Sequence, residues 1–263
     1  IIYTHHHLWH GPNDLPGIQE SYRYLIQDLW KDTEICHIIK KTIFIDCGQE
    51  YYSEGPERFK PVGETEFVVE IAEQASEDES KAQIAGIIGH ANMMLGSSVK
   101  EVLELHSEKG KGLFRGIRHA GGWDEDERVK NAHSHPTPHI YLEEKFQEGL
   151  QELSSLEMVF DTWHYHNQIK DLTKLAKNIP DLVIVHDHFG GPLGIGPYKG
   201  KREEIFDQWK EDINELSGCK NVFSKLGGLA MPVNGWDWHK KATPASSDEI
   251  VYEQARYYRH TLE

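Results

Sequence analysis

The 263-residue chain carries 28 Lys and Arg against 43 Asp and Glu, a formal net charge of −15. A field of that sign repels polyanions, which argues against nucleic acid and anionic membrane surfaces as partners. No apolar run reaches the roughly 18 residues of a membrane span, and no signal-peptide pattern is present.

The first element, IIYTHH (1–6), opens a stretch in which His5, His6, His7 and His10 fall within six positions. An expression tag is usually a longer uniform run and does not continue into LWHGP. In an extended chain His5 and His7 share one face and His6 points to the other. Two same-facing imidazoles about 7 Å apart along a strand can close on one metal ion.

Six further apolar or β-branched runs follow: KTIFIDCG (41–48), IAGIIGHAN (84–92), FRGIRHA (114–120), MVFDTWHYH (158–166), DLVIVHDHFGG (181–191) and NVFSKLGG (221–228). Helices are expected over 19–40, 64–80, 97–110, 143–156, 168–178, 201–218 and 247–262. Near-continuous apolar strands alternating with helices indicate a parallel sheet covered on both faces. Residues 1–263 show no linker, repeat or composition break, so a single domain is expected. The loop GGPLGIGPYKG (190–200) has the wrong order for a phosphate-binding motif, and its glycines suit tight turns and close approach. Cys36, Cys47 and Cys219 form an odd, scattered set without a CxxC pair, so a reducing cytoplasm is expected rather than a disulfide framework.

The histidines recur where strands finish. His5 and His7 close the first strand, His90 the third, and His119 follows Arg118 on the fourth. His164 and His166 close the fifth, and His186 and His188 flank Asp187 on the sixth. In a (β/α)₈ barrel the C-terminal strand ends converge on one active-site face. One such histidine is ordinarily a core group; five clusters at equivalent positions point to metal or acid–base chemistry.

Several motifs resemble the amidohydrolase-related branch of the amidohydrolase superfamily: HHHLW, GETEFV (63–68), RGIRHA (115–120), FDTWHYHNQI (160–169), VHDHFGGPLGIGPY (185–198) and KLGGLAMPVNGW (225–236). The branch contains dicarboxylate and sugar lactonases and is related to metal-dependent decarboxylases. The resemblance implies a distorted (β/α)₈ TIM barrel and hydrolysis at a carbonyl carbon. It further implies a divalent ion, zinc or manganese, on His5, His7 and His166, with His188 acting on water or on the oxyanion. His164 is the alternative strand-5 ligand, since strand alternation sets it with His166. Asp187 is assigned to packing or to support of its neighbours. Arg118 suits a substrate carboxylate or the chemical step, because guanidinium binds carboxylate bidentately. His90, His119 and Trp123 are the remaining candidates for substrate contact, and Trp163, Trp236 and Trp238 could wall a ring-shaped ligand.

Two departures from the family stand out. Binuclear members commonly carry a lysine on strand 4, but here that strand reads FRGIRH, so one ion at most is expected. Some lactonases of the branch work without metal, and in that variant the imidazoles and Arg118 would act directly. No eighth strand is legible after 221–228, and no aspartate matches the family's strand-8 residue, so the native polypeptide is expected to continue beyond these residues. The leading expectation is a lactonase acting on a small carboxylated cyclic ester, for which a homo-oligomer is compatible. A non-oxidative decarboxylase and a catalytically silent barrel that binds a metal or metabolite are the alternatives.

Overall fold

The computed structural model describes residues 1–11, 22–35 and 37–263. Among them, seven strands alternate with seven α-helices: β1 (Ile2–His6), α1 (Ile26–Thr33), β2 (Lys41–Ile45), α2 (Val62–Ala75), β3 (Gln83–His90), α3 (Lys100–Lys109) and β4 (Phe114–Arg118). Then follow α4 (Glu144–Ser155), β5 (Val159–Thr162), α5 (Ile169–Asn178), β6 (Val183–His186), α6 (Arg202–Leu216), β7 (Val222–Ser224) and α7 (Ser247–Leu262). This is the repeating β/α architecture of a distorted (β/α)₈ barrel with one strand fewer among the described residues. Every expected helix is found. The first is shorter than expected, and part of its expected range (19–21 and Cys36) lies outside the described residues. No described helix is long and apolar enough to cross a membrane.

The residues form two compact units, Ile1–His119 with Glu148–Phe160, and Ala120–Gln147 with Asp161–Glu263. In the first, β1, β2, β3 and β4 are parallel and hydrogen-bonded in chain order. Right-handed β–α–β crossovers give that order directly. Leu8, Leu29, Phe44, Val68, Ala75, Ile84 and Ile87 pack α1 and α2 onto this sheet. At Gly116, on β4, an added Cβ would stand 2.0 Å from the Val159 carbonyl oxygen, so only glycine lets the two backbones approach this closely. In the second unit β6 pairs in parallel with β7. Its α6 buries Trp209, whose Nε1 donates to Phe189 O at 2.7 Å.

Several of the seventeen histidines are core groups. The ring of His106 lies flat on Phe114 at 4.8 Å, accepts from Thr65 Oγ1 at 2.8 Å through Nδ1, and donates from Nε2 to His90 O at 2.9 Å. Burial pushes His6, His106 and His164 down to about 4 and His186 to about 3. All four are therefore neutral in the fold near pH 6, whereas the unfolded chain protonates them below about 6.5. The unfolded state takes up more protons in that window, so stability is complete above pH 6.5 and is lost as pH falls toward 4. The expected loss is on the order of 1 kcal/mol per pH unit for each such histidine. Thermal melts from pH 7.5 to 4.5 should show Tm falling steeply below 6.5, with a shallower slope in His106→Gln. A flat profile would refute the assignment.

Candidate functional site

In the first unit the site begins at the end of β1. His5 Nε2 and His7 Nε2 lie 3.2 Å apart with the rings edge-on, centroids 4.9 Å apart. His7 Nδ1 lies 2.8 Å from Ile45 O, the last residue of β2. A carbonyl only accepts, so Nδ1 carries the hydrogen and Nε2 presents its lone pair toward His5. Burial, then the neighbouring His5 and Arg118, push His7 well below the usual imidazole range. His6 points the opposite way, as strand alternation requires, and donates to Ile43 O at 2.9 Å.

Beside them, β3 and β4 end in His90 and Arg118. Arg118 is buried, and its carbonyl accepts from His90 Nδ1 at 2.9 Å. His119 is buried too, and its Nδ1 accepts from Met93 N at 3.1 Å. The rings of His90 and His119 stand 5.4 Å apart, and Tyr51 lies parallel to His90 at 6.5 Å. Tyr51 in turn donates to Asp46 Oδ1 at 2.7 Å.

Asp46 leads to a feature the sequence did not assign. Glu64, in the GETEFV motif, sits in the first turn of α2 with 1 % of its surface exposed. Its Oε1 accepts from Cys47 N at 3.2 Å and Gln49 N at 2.7 Å, pinning the loop that follows β2. Burial and the adjacent Asp46 push its carboxyl well above the usual range. The shift is in the direction expected when neighbouring buried carboxylates disfavour each other's ionisation. An acid on the largely apolar face of α2 was the available signal.

In the second unit, β5, β6 and β7 bring Asp161, Asp187 and Lys225 together. Lys225 Nζ lies 2.5 Å from Asp161 Oδ2 and 3.6 Å from Asp187 Oδ1; both carboxylates are buried and the lysine is half-buried. His188 follows, with Nε2 3.3 Å from Asp187 Oδ2 and Nδ1 3.3 Å from Gly227 O. Trp163 stands edge-on to its ring at 5.5 Å. Asp187 therefore supports a candidate catalytic group as well as packing. The Lys225 pairing was not foreseen, although SKLGG places a lysine at a strand end.

The expectation that strand alternation sets His164 with His166 does not hold, because β5 ends at Thr162 and both residues lie beyond it. His164 is fully buried against His186, centroids 5.3 Å apart, and its Nδ1 donates to Tyr165 O at 3.0 Å. Its Nε2 has no partner among the described residues. His166 instead opens a short 3₁₀ turn, His166–Gln168. Its Nδ1 accepts from Leu193 N at 3.4 Å and its ring meets Tyr198 at 5.1 Å. Burial lowers it to about 4, so it is a neutral, ligand-competent imidazole. Trp123 is fixed by its backbone N–H on Gln168 Oε1 at 2.9 Å. Trp236 and Trp238 stack on each other at 5.3 Å and Arg202 lies over Trp236.

Comparison with known proteins places this geometry in a family. An amidohydrolase from Burkholderia multivorans, solved with bound HEPES, superposes with a TM-score of 0.70 at 20% identity over 99% of this chain and 79% of that one. A Burkholderia multivorans amidohydrolase solved with bound zinc gives 0.70 at 19% identity, over 99% and 78%. A probable 2-pyrone-4,6-dicarboxylic acid hydrolase from Acinetobacter baumannii, with citric acid bound, gives 0.57 at 14% over 98% and 77%. At these identities the likeness is one of fold. An uncharacterized Sinorhizobium fredii protein, y4mH, is 23% identical over 95% of this chain and 80% of its own length. The amidohydrolase family model matches residues 2–256, and the chain belongs to that family.

Proposed function

We propose that the protein is a hydrolase that opens a small carboxylate-bearing lactone by attack of water, with one divalent ion bound at the His5–His7 pair. The observation that carries this is the 3.2 Å separation of the two Nε2 atoms. Two nitrogens each 2.0–2.1 Å from a tetrahedral zinc stand about 3.3 Å apart, so the donors fit such an ion as they are. The hydrogen bond of His7 to Ile45 O fixes its tautomer in the way that supporting contacts orient metal-bound imidazoles. His166, which the family resemblance implies as a third ligand, is a neutral, buried imidazole. A bound ion would supply an acidified water and a polarised carbonyl.

The chain's own groups divide the remaining work. Arg118 receives the substrate carboxylate through its guanidinium fork. His119 uses Nδ1 as an acceptor, so its Nε2 carries a hydrogen and offers a donor; His90 donates from Nδ1, so its Nε2 offers an acceptor. Both suit the ring oxygens and hydroxyls of a lactone, with Trp123 as an apolar wall. His188 faces two acceptors, Asp187 Oδ2 and Gly227 O, and both contacts are satisfied at once only by the imidazolium. In that form it can protonate the alkoxide released on ring opening or stabilise the oxyanion before it.

Elemental analysis and zinc titration should find at most one equivalent per chain. His5→Ala and His7→Ala should each abolish binding and turnover; two equivalents at this site would refute the arrangement. Turnover that survives complete metal removal would assign the chemistry to the imidazoles and Arg118 alone. Proton release against a panel of small carboxylated lactones tests the reaction. Carbon dioxide release would favour decarboxylation, and tight binding without turnover a silent barrel.

His188→Asn should lower kcat by roughly 10²-fold or more, the scale of a lost acid–base or oxyanion group. Its Tm should stay close to wild type, because asparagine tolerates the left-handed backbone at this position. A stable variant with near-normal kcat would remove His188 from the chemical step.

A further inference from the structure

Four consecutive residues, His188, Phe189, Gly190 and Gly191, have φ of 49°, 58°, 64° and 46°, all in the left-handed region. Residues with side chains rarely adopt it, and such strain persists only where surrounding contacts over-determine it. Here they do. The Phe189 ring is fully buried, 4.9 Å from Tyr258 and 6.3 Å from Tyr257, and its carbonyl accepts from Trp209. A Cβ on Gly190 would meet His186 Nε2 at 2.8 Å, and one on Gly191 would meet His164 O at 2.7 Å. The turn is locked on its core side and can present the His188 ring in only one direction.

That direction is onto the segment after β7. Gly228 has φ +82°, and a Cβ built there would stand 2.1 Å from His188 Nδ1, 2.3 Å from Cγ and 2.8 Å from Cβ. Ordinary contact begins near 3.4 Å. The clash falls on the root of the imidazole rather than its tip, and Trp163 stands against the same ring. Gly227, one residue earlier, would meet nothing within 4 Å. The need for glycine is therefore specific to position 228.

We propose that Gly228 is a positioning residue whose missing side chain is the seat of the His188 ring, so that the left-handed turn and Gly228 together aim Nε2. Its catalytic consequence rests on the reading that His188 takes part in the chemical step. A displacement of about 1 Å in a reacting group can cost roughly 10²-fold in rate. Any side chain at 228 should act on kcat through His188, more than on substrate affinity.

The seating can be tested without a known substrate. In histidine-labelled protein, the His188 ring signals are identified by their loss in His188→Asn. They should shift in Gly228→Ala and stay in place in Gly227→Ala. On any lactone the wild type opens, Gly228→Ala should lower kcat at least 10-fold with KM changed less than threefold, and should add nothing to His188→Asn. Ring signals that coincide with wild type in Gly228→Ala, or that move equally in Gly227→Ala, would overturn the proposal. A shifted ring with undiminished turnover would leave the seating intact and sink the role of His188 in the chemistry. Should Gly228→Ala fail to fold, the double variant with His188→Ala decides. A Tm that recovers in part toward that of His188→Ala supports the seat, the remaining gap being the cost of alanine at φ +82°, and no recovery overturns it.

Discussion

The recurrent constraint in this molecule is a hydrogen bond from a histidine ring to a backbone carbonyl. His6 donates to Ile43 O, His7 to Ile45 O, His90 to Arg118 O and His164 to Tyr165 O, all from Nδ1 at 2.8–3.0 Å. A carbonyl has no hydrogen to give, so each bond selects the tautomer with hydrogen on Nδ1 and leaves Nε2 as a lone pair. The acceptors are carbonyls at or near strand ends, whose positions the sheet itself sets. Tautomer and ring direction thus follow from the β/α architecture, with no further side chains required. Because burial also holds His6, His7 and His164 neutral, the fold supplies imidazoles already in the state that binds a cation.

The same device serves packing and chemistry, and the fate of Nε2 separates them. In His6 and His164 the free nitrogen is sealed in the core without a partner among the described residues. Such an orphan costs about 1–3 kcal/mol, which the surrounding packing has to offset. In His5 and His7 two Nε2 atoms are instead brought within 3.2 Å of each other on residues that retain some exposure. Two nitrogens so close on neighbouring strand residues have little to gain from packing. Their arrangement makes sense as a place for a cation.

Much of this was legible in the sequence, because periodicity governs it. Strand and helix order followed from apolar runs such as KTIFI and IAGIIGH, and the approach of His5 and His7 followed from extended backbone that runs from β1 one residue past its end. Alternation stopped being a guide where strands stopped. β5 ends at Thr162 and β6 at His186, so His164, His166 and His188 take their directions from turns. A left-handed His–Phe pair has no local signature, since neither residue favours that conformation. Long-range charge pairing was equally hidden. Lys225 stands 64 residues from Asp161, and only β-strand neighbourhood brings them together. Glu64 is one of several acids in α2, and only the fold buries it beside Asp46.

Two physical solutions to one problem emerge from these sites. The loop after β2 is fixed by hydrogen bonds: Glu64 Oε1 accepts two backbone N–H groups, while burial and Asp46 push its carboxyl above the usual range. The turn after β6 is fixed by strain: two residues with side chains hold left-handed backbone, at roughly 1–2 kcal/mol each, against an aromatic core that will not let them relax. A carboxyl clamp contains a group that titrates, whereas a strained backbone does not. The strained turn under His188 therefore fixes the backbone beneath that ring by a means independent of pH, and leaves the protons of the ring itself to its contacts with Asp187 and Gly227.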